Sequence, residues 1–405
     1  GKVEDMSGMF YNAKKFNQNI NCWNVSNVKK MNYMFAGAQE FNQSLGLWNV
    51  GKVEDMSGMF YNAKKFNQNI NCWNVSNVKK MNSMFARARK FNQSLGLWNV
   101  SKVDDMSYMF YESANFNGDV ELWDVSNVKN MKSMFSRSKK FNQPIGSWDV
   151  GKVEDMSSMF MESNFNQNIE LWDVSIVKNM ANMFRNAREF NQPIGSWNMG
   201  KVEDMSFMFM NAKKFNQNID SWNVSKVKTM TNMFRGAREF NQPIDKWNVS
   251  KVKNMSDMFL GAYNFNQNIS NWDVSNVTNM SGMFAGAVRF NQNINNWNVS
   301  RVTMMVKMFY GAESFNKPLD NWNVSKVKDF KLMFAYTTAF NQSLDNWYDK
   351  VKIKIWLSKI LMKIGLHYRP FVYMFEGNSM GNLPKWYIEI PKELKIDPNM
   401  SRYSA

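Results

Sequence analysis

Gly51–Trp73 reads GKVEDMSGMFYNAKKFNQNINCW. It is one copy of a 25-residue unit that the chain repeats about fourteen times. Tryptophan falls at 23, 48, 73, 98, 123, 148, 172, 197, 222, 247, 272, 297, 322 and 347, and only the step from Trp148 to Trp172 is one residue short. A fixed period of about 20–50 residues means that each unit buries its apolar face only against its neighbours, as in a solenoid. The 405 residues therefore count coils, and the usual inference of two or three separate cores is set aside.

Within the unit, Val53, Met56, Met59, Phe60 and Ala63 stand at i, i+3, i+6, i+7 and i+10, the spacing of one helical face. Gly51, or Ser76 and its equivalents in other coils, occupies the place of an N-cap, and Ser101 with Asp104 reads as a capping box. Ile70, Trp73, Val75 and Val78 then imitate the L-x-x-L-x-L framework of leucine-rich repeats. Trp73 and Val75 alternate with Asn74, so a very short strand points two side chains inward and one outward. The pattern predicts an α/β repeat fold. It is a right-handed, leucine-rich-repeat-like solenoid of about 14 coils, each a short parallel strand plus a helix. It occupies residues 1–347, with a C-terminal capping segment over 348–405.

The Met-x-x-Met-Phe motif recurs in thirteen coils, and the fourteenth has Phe330 before Met333 and Phe334. Twenty-eight of the 32 phenylalanines hold two fixed places per coil, which assigns them to the core. Exposed methionine makes adaptable binding surfaces, but methionine at this spacing beside phenylalanine reads as packing. The asparagine after the second phenylalanine, Asn17 through Asn341, is expected to form a ladder that satisfies backbone groups of the turn and of the next coil.

Composition agrees with a packed interior: 44% apolar and 15% aromatic, with no apolar run long enough to span a membrane. Net charge is +16, of which residues 348–405 supply +5, so an anionic partner such as nucleic acid or acidic glycan is one expectation and a solvated lysine-rich surface the other. Cys22 and Cys72 lie two coil steps apart, roughly 9–10 Å, beyond disulfide reach, and are expected to be free thiols. Gly1–Asn32 is identical to Gly51–Asn82, which leaves room upstream of Gly1 for an N-terminal cap and any signal peptide or lipid anchor.

The motif F-N-Q-x-I-x-x-W-[ND]-V-S-x-V-x-x-M-x-x-M-F-x-x-A, carried by residues 1–347, resembles the repeat of BspA-like surface proteins, also known as mycoplasma-type lipoprotein repeats. The resemblance implies a leucine-rich-repeat-like fold, a surface location and an interaction role such as adhesion, and it implies no enzymatic activity. Such families occur on bacterial cell surfaces, in some protists and in large DNA viruses. This chain departs from the pattern in its basic C-terminal segment and in showing no lipoprotein leader.

Function is sought where coils differ. One difference is a charge alternation: Glu4-Asp5 beside Lys29-Lys30, then Glu54-Asp55, Lys79-Lys80, Asp104-Asp105, Lys129, Glu154-Asp155, Lys178, Glu203-Asp204 and Lys228. Stacked about 5 Å apart, these charges specify register more than stability. Residues 1–50 and 51–100 differ only at positions 33, 37, 39 and 40, so the evolutionary unit there is a pair of coils. The other difference is the residue before each tryptophan, expected to face outward. It is Cys22, Leu47, Cys72, Leu97, Leu122, Ser147 and Leu171, then Ser196, Ser221, Lys246 and four asparagines. The apolar members form a candidate partner-binding stripe; tucking beneath neighbouring loops is the alternative. The Asn-Val-Ser sequons, such as Asn74, follow from the repeat itself, and the outward Asn/Asp row is unspecific for carbohydrate.

Beyond Trp347 the period fails. Asp349–Leu366 is basic and apolar and is expected to be a helix covering the last coil, with a membrane-surface helix as the alternative; Gly377–Pro398 reads as a short strand or packed tail. The single histidine, His367, has no cysteine near it, and no phosphate loop, nucleophile elbow or metal-ligand spacing is present. An enzyme is not expected, and neither is a cofactor or a metal. The expectation is a cell-surface or extracellular interaction protein, adhesin-like, with a structural role in a virus particle as the alternative. Electrostatic binding of nucleic acid is the weaker third reading.

Overall fold

The computed structural model describes residues 2–363, 368–381 and 383–396. They form two compact units, Gly1–Asp204 with Asn211–Gln217, and Met205–Met210 with Asn218–Ala405. Both units are built from the same coil.

The helix expected over Val53–Ala63 is absent, and the stretch is a run of β-turns. Its backbone donors alternate. The N–H groups of Met56, Gly58, Phe60 and Asn62 donate to the carbonyls of Lys80, Asn82, Met84 and Ala86 in the next coil, at 2.7–3.0 Å. The N–H groups of Met59, Tyr61 and Ala63 instead close turns onto Met56, Gly58 and Phe60 within the coil, at 2.9–3.2 Å. An α-helix would draw every donor inward to i−4 and leave the next coil with none. The turn run is possible because two backbone positions per coil are left-handed, for example Gly58 at φ 58° and Asn62 at φ 56°. The apolar spacing also fits turns. Val50 and Val53, Met56 and Met59, Phe60 and Ala63, Ala63 and Phe66, Ile70 and Trp73, and Val75 and Val78 are each joined by an i→i+3 bond, at 2.9–3.2 Å.

The parallel strand is also shorter and lies elsewhere than Trp73–Val75. Trp73 and Val75 are buried and Asn74 exposed, as the alternation requires, but the pairing occurs at single-residue parallel bridges. In the first unit these join Asp5, Lys30, Asp55, Lys80, Asp105, Asn130, Asp155, Asn179 and Asp204; in the second, Thr229, Asn254, Asn279, Met304 and Asp329. Most bridge residues are Asp or Asn because the side chain accepts the N–H two residues on, as Asp55 does from Ser57 at 2.9 Å. Ser76 likewise caps no helix; its N–H donates to Asn74 Oδ1 at 3.1 Å.

Each coil is closed by aromatic and methionine side chains that are almost fully buried: Met56, Met59, Phe60, Phe66 and Ile70 at 0% exposure, Trp73 at 3%. Phe60 and Phe66 stack at 3.9 Å within the coil, and Phe60 stacks on Phe85 of the next at 5.6 Å. The indoles stack as well, Trp73 on Trp98 at 6.5 Å. At about 1.5–3 kcal/mol for each large side chain buried, these columns dominate stability. The expected asparagine ladder is present: the N–H of Asn67 donates to Asn42 Oδ1 and that of Asn92 to Asn67 Oδ1, both at 2.9 Å.

After a 3-10 helix over Asp345–Trp347 comes α1, Tyr348–Lys363. The turn pattern then resumes. The N–H groups of Phe330, Leu332, Phe334 and Tyr336 donate to the carbonyls of Pro370, Val372, Met374 and Glu376, at 2.7–3.0 Å. Tyr373 and Gly377 take the two left-handed positions, and Phe371 and Phe375 stack on Phe330 and Phe334. Trp386 Nε1 donates to the carbonyl of Leu344 at 3.0 Å, as the repeat tryptophans do to the coil before. The 25-residue period ends at Trp347, as expected, but the coil's hydrogen-bond pattern is taken up once more within the capping segment, after α1. Of the short strand or packed tail expected after Gly377, the chain forms the tail, with Trp386, Tyr387, Ile390 and Leu394 buried on and between two single-turn helices, α2 (Lys385–Ile388) and α3 (Lys392–Lys395). His367 and Pro398 lie outside the described residues. Among the described residues no helix is long and apolar enough to cross a membrane.

Candidate functional site

The inward-pointing tryptophan forces the residue before it outward. From the second coil on, the indoles are fixed by Nε1 donating to a carbonyl 27 or 28 residues earlier, as Trp73 does to Leu45 at 3.0 Å, Trp98 to Ile70 at 3.1 Å and Trp172 to Ile145 at 3.0 Å. The preceding residue is seated from its other side: Asn21 Oδ1 accepts the N–H of Leu47, and Asn71 Oδ1 that of Leu97, both at 3.0 Å. The side chains beyond these seats stand in solvent. Leu47, Leu97, Leu122 and Leu171 are 76–89% exposed, so they do not tuck beneath loops. Cys22 and Cys72 are exposed free thiols on the same row.

The row changes character along its length. Beside Cys22, Leu47, Cys72 and Leu97 stand neutral residues, Asn24, Asn49, Asn74 and Asn99. Beside Leu122 and Leu171 stand carboxylates, Glu121 and Asp124 at one end and Glu170 and Asp173 at the other, with Asp149 between. Hydrogen bonds from the Ser126 hydroxyl and N–H hold Asp124 below the usual carboxylate range, against a smaller opposing effect of burial. The acid rim is legible in the sequence only when the residues on both sides of each exposed leucine are compared from coil to coil.

The charge alternation appears as ion pairs between coils: Lys29–Glu4 at 2.9 Å, Lys79–Glu54 at 2.8 Å and Lys178–Glu154 at 2.7 Å. Lys29, Lys52, Lys79 and Lys102 gather around Glu54, but Lys52 and Lys102 are held by the amide oxygens of Asn27 and Asn77. These lysines therefore face internal partners as well as solvent.

A second ladder, not among the sequence expectations, joins arginine and glutamate side chains of successive coils. Arg87 Nε lies 3.1 Å from Glu112, Arg137 contacts Glu112 at 2.9 Å, and its Nε lies 3.2 Å from Glu162. The guanidinium of Arg87 lies between the rings of Tyr61 and Tyr111. Burial pushes the Glu112 carboxyl up, but hydrogen bonds from Arg137 and Tyr111 together with the charges of both arginines hold it below its ordinary range. The signal was one column of successive coils reading Arg, Glu, Arg, Glu.

In the second unit, Asn268, Ser270, Gln292, Asn293, Asn295 and Asn296 line an open depression of about 580 Å³. Its amides are largely engaged: Asn296 donates to the Ser270 carbonyl and Asn295 to Asp320. Among the described residues no group of three or more His, Cys, Asp or Glu is placed to hold a metal.

Residues 1–96, 88–169, 148–247 and 230–347 each match the family model described as "Mycoplasma protein of unknown function, DUF285". No curated protein matches the chain. Among solved structures, a leucine-rich cell surface protein of Faecalibacterium prausnitzii A2-165 is similar at 13% identity and a TM-score of 0.35, over 72% of this chain and 76% of that one. A leucine-rich repeat protein of Eubacterium ventriosum ATCC 27560 is similar at 11% identity and a TM-score of 0.25, over 89% of this chain and 77% of that one. The four matched segments together cover every repeat from the first coil to Trp347, and by them the chain belongs to the DUF285 family of mycoplasma-type repeat proteins.

Proposed function

We propose that the chain is a non-enzymatic, surface-exposed repeat protein that binds protein partners, adhesin-like, at a cell surface or outside the cell. In this reading about fourteen right-handed coils over 1–347 are the scaffold, and 348–405 is a capping segment. What supports the cap is that Pro370, Val372, Met374 and Glu376 receive the hydrogen bonds of the last repeat coil, which otherwise end in an open edge. The docking surface is the row Cys22, Leu47, Cys72, Leu97, Leu122 and Leu171. The observation that carries it is the exposure of four leucines at 76–89%, while the adjoining tryptophans are 3% exposed. Apolar side chains in a row, standing in solvent and contributing nothing to the core, suit a partner's surface.

The test compares immobilised wild-type chain with the Leu97→Ser/Leu122→Ser variant for capture of cell-surface and matrix proteins. Loss of capture by about tenfold or more, with an unchanged melting temperature, is expected. Equal capture, or a large fall in melting temperature, overturns the reading. The location is tested by the mass of the N-terminal peptide of protein recovered from its source, where a lipid-modified cysteine or a cleaved signal upstream of Gly1 is expected.

A further inference from the structure

α1 has two apolar faces. Val351, Ile355 and Ser358 are buried. On the other side Ile353 (70%), Trp356 (62%), Leu357 (38%) and Ile360 (37%) are exposed at i, i+3, i+4 and i+7, an apolar stripe whose Trp356 borders a shallow depression shared with Trp386 and Glu389. Lys352, Lys359 and Lys363 line one flank of that stripe. Lys352 pairs with Asp349 at 2.9 Å, while Lys350 and Lys354 on the other flank are tied to the carbonyls of Trp322 and Ser325. The helix thus offers an apolar strip edged by positive charge.

The first unit offers the complement: Leu122 (84%) and Leu171 (89%), rimmed by Glu121, Asp124, Asp149, Glu170 and Asp173 in a chain whose net charge is +16. The sizes agree too. Ile353 to Ile360 spans about 10 Å along a helix axis, and Leu122 and Leu171 are two coil steps apart, about 10 Å at the spacing of parallel strands.

We propose that α1 of one copy docks, through Ile353, Trp356 and Ile360, on the acid-rimmed Leu122–Leu171 stretch of a second copy. This rests on the reading of the row as a protein-docking surface, and names its partner. The pairing is heterologous, because two helices face to face set lysine against lysine and two stripes set carboxylate against carboxylate. Leu47 and Leu97, with asparagine beside them, lack the charge that selects the helix. The interface is small, so the association is weak and sensitive to salt.

Analytical ultracentrifugation of the full chain over a range of concentration and salt tests this. Wild type is expected to associate reversibly beyond the dimer, about tenfold more weakly at high salt. The Leu122→Ser/Leu171→Ser variant and the Ile353→Ser/Trp356→Ser variant are each expected to stay monomeric alone. Mixed, they are expected to form a dimer that grows no further, since one intact helix meets one intact stripe. Lys359→Glu/Lys363→Glu, which leaves the apolar residues in place, is expected to abolish association, and Glu121→Lys/Asp124→Lys added in the second copy to restore it. A wild type monomeric at every concentration overturns the proposal. So does association that survives the leucine changes, or a mixture that stays monomeric. Binding to phosphatidylglycerol vesicles that needs Trp356, without self-association, overturns it in favour of a lipid surface. A monomeric wild type that still captures surface proteins through Leu97 and Leu122 overturns this inference and leaves the functional reading standing.

Discussion

The indole Nε1 of Trp98 donates to the carbonyl oxygen of Ile70, 28 residues earlier, at 3.1 Å, and both groups are buried. Tryptophan at this place therefore does two things: it fills the coil and gives the Ile70 carbonyl, which already accepts the Trp73 N–H of its own turn, a second donor from the next coil. Trp98→Phe keeps an aromatic ring but removes the donor. Destabilisation of about 1–3 kcal/mol is expected from the lost bond between coils and the lost volume together, the Ile70 carbonyl keeping the Trp73 N–H. Urea unfolding followed by circular dichroism measures it, and a midpoint equal to that of wild type would show the indole bond to be dispensable.

The asparagine ladder makes a sharper, local claim. Asn67 Oδ1 accepts both the N–H of Asn92 and the Nε2 of Gln93, at 2.9 and 3.1 Å. In Asn67→Ala the Asn92 amide, at an exposed residue, exchanges its partner for water at a cost of about 0.5–1.5 kcal/mol. Hydrogen exchange at Asn92 should accelerate by about tenfold or more, while amides several coils away keep their protection. Uniform acceleration through the first unit would mean that the ladder acts globally.

Gly58 sits at φ 58°, and a Cβ placed there would lie 2.3 Å from a ring carbon of Tyr33. The same place in the next coil is held by Ser83 at φ 58°. Gly58→Ala is expected to lower stability by about 2 kcal/mol or more, from the clash and the left-handed backbone together. Ser83→Gly relieves the strained backbone and is expected to be neutral or stabilising by up to about 1 kcal/mol. Differential scanning calorimetry of the two variants reads both; a stabilised Gly58→Ala would contradict the turn geometry.

Glu112 stands between Arg87 and Arg137 with its side chain 17% exposed. Because its carboxyl is held below the ordinary range, it contributes stability that is present above the unfolded carboxylate value, near about 4.3, and is lost as pH falls through the folded one. Glu112→Gln should cost about 1–2 kcal/mol at neutral pH, discounted because the arginine side chains are 40–41% exposed. The gap between variant and wild type should stay flat down to about pH 5 and close below about pH 4. Unfolding free energies measured across that range decide it, and a gap that widens on acidification would reverse the assignment.

The helix expected over Val53–Ala63 shows where local reading ran out. Apolar residues at 53, 56, 59, 60 and 63 satisfy a helical face, and they equally satisfy consecutive turns whose corners are three residues apart. What separates the two is whether Phe60 donates to Met56 or to Met84, 24 residues on. Left-handed backbone at Tyr33, Ser83, Arg87 and Glu112 gave no warning, because only glycine and asparagine announce such a conformation by residue type. The interrupted coil after Trp347 is illegible in the sequence for a related reason. α1 delays its Met-Phe pair, Met374-Phe375, to 41 residues after Met333-Phe334, so a fixed-period reading does not see it.

By itself the sequence determined what a repeat determines. It set the period, the inward places of Met, Phe, Ile and Trp, the asparagine ladder, the pairing of Glu4 with Lys29, and the outward row that carries Leu97 and Leu122. Each follows from residue type at a recurring place, and stacking identical units puts identical places side by side. Only the tertiary structure decided that the coil is made of turns, that the parallel pairing sits at Asp55 and Lys80, and that Ile353 and Trp356 of α1 face away from the protein. Those outcomes depend on which neighbouring coil receives each N–H group and covers each side chain, and such a partner lies a full coil away along the chain.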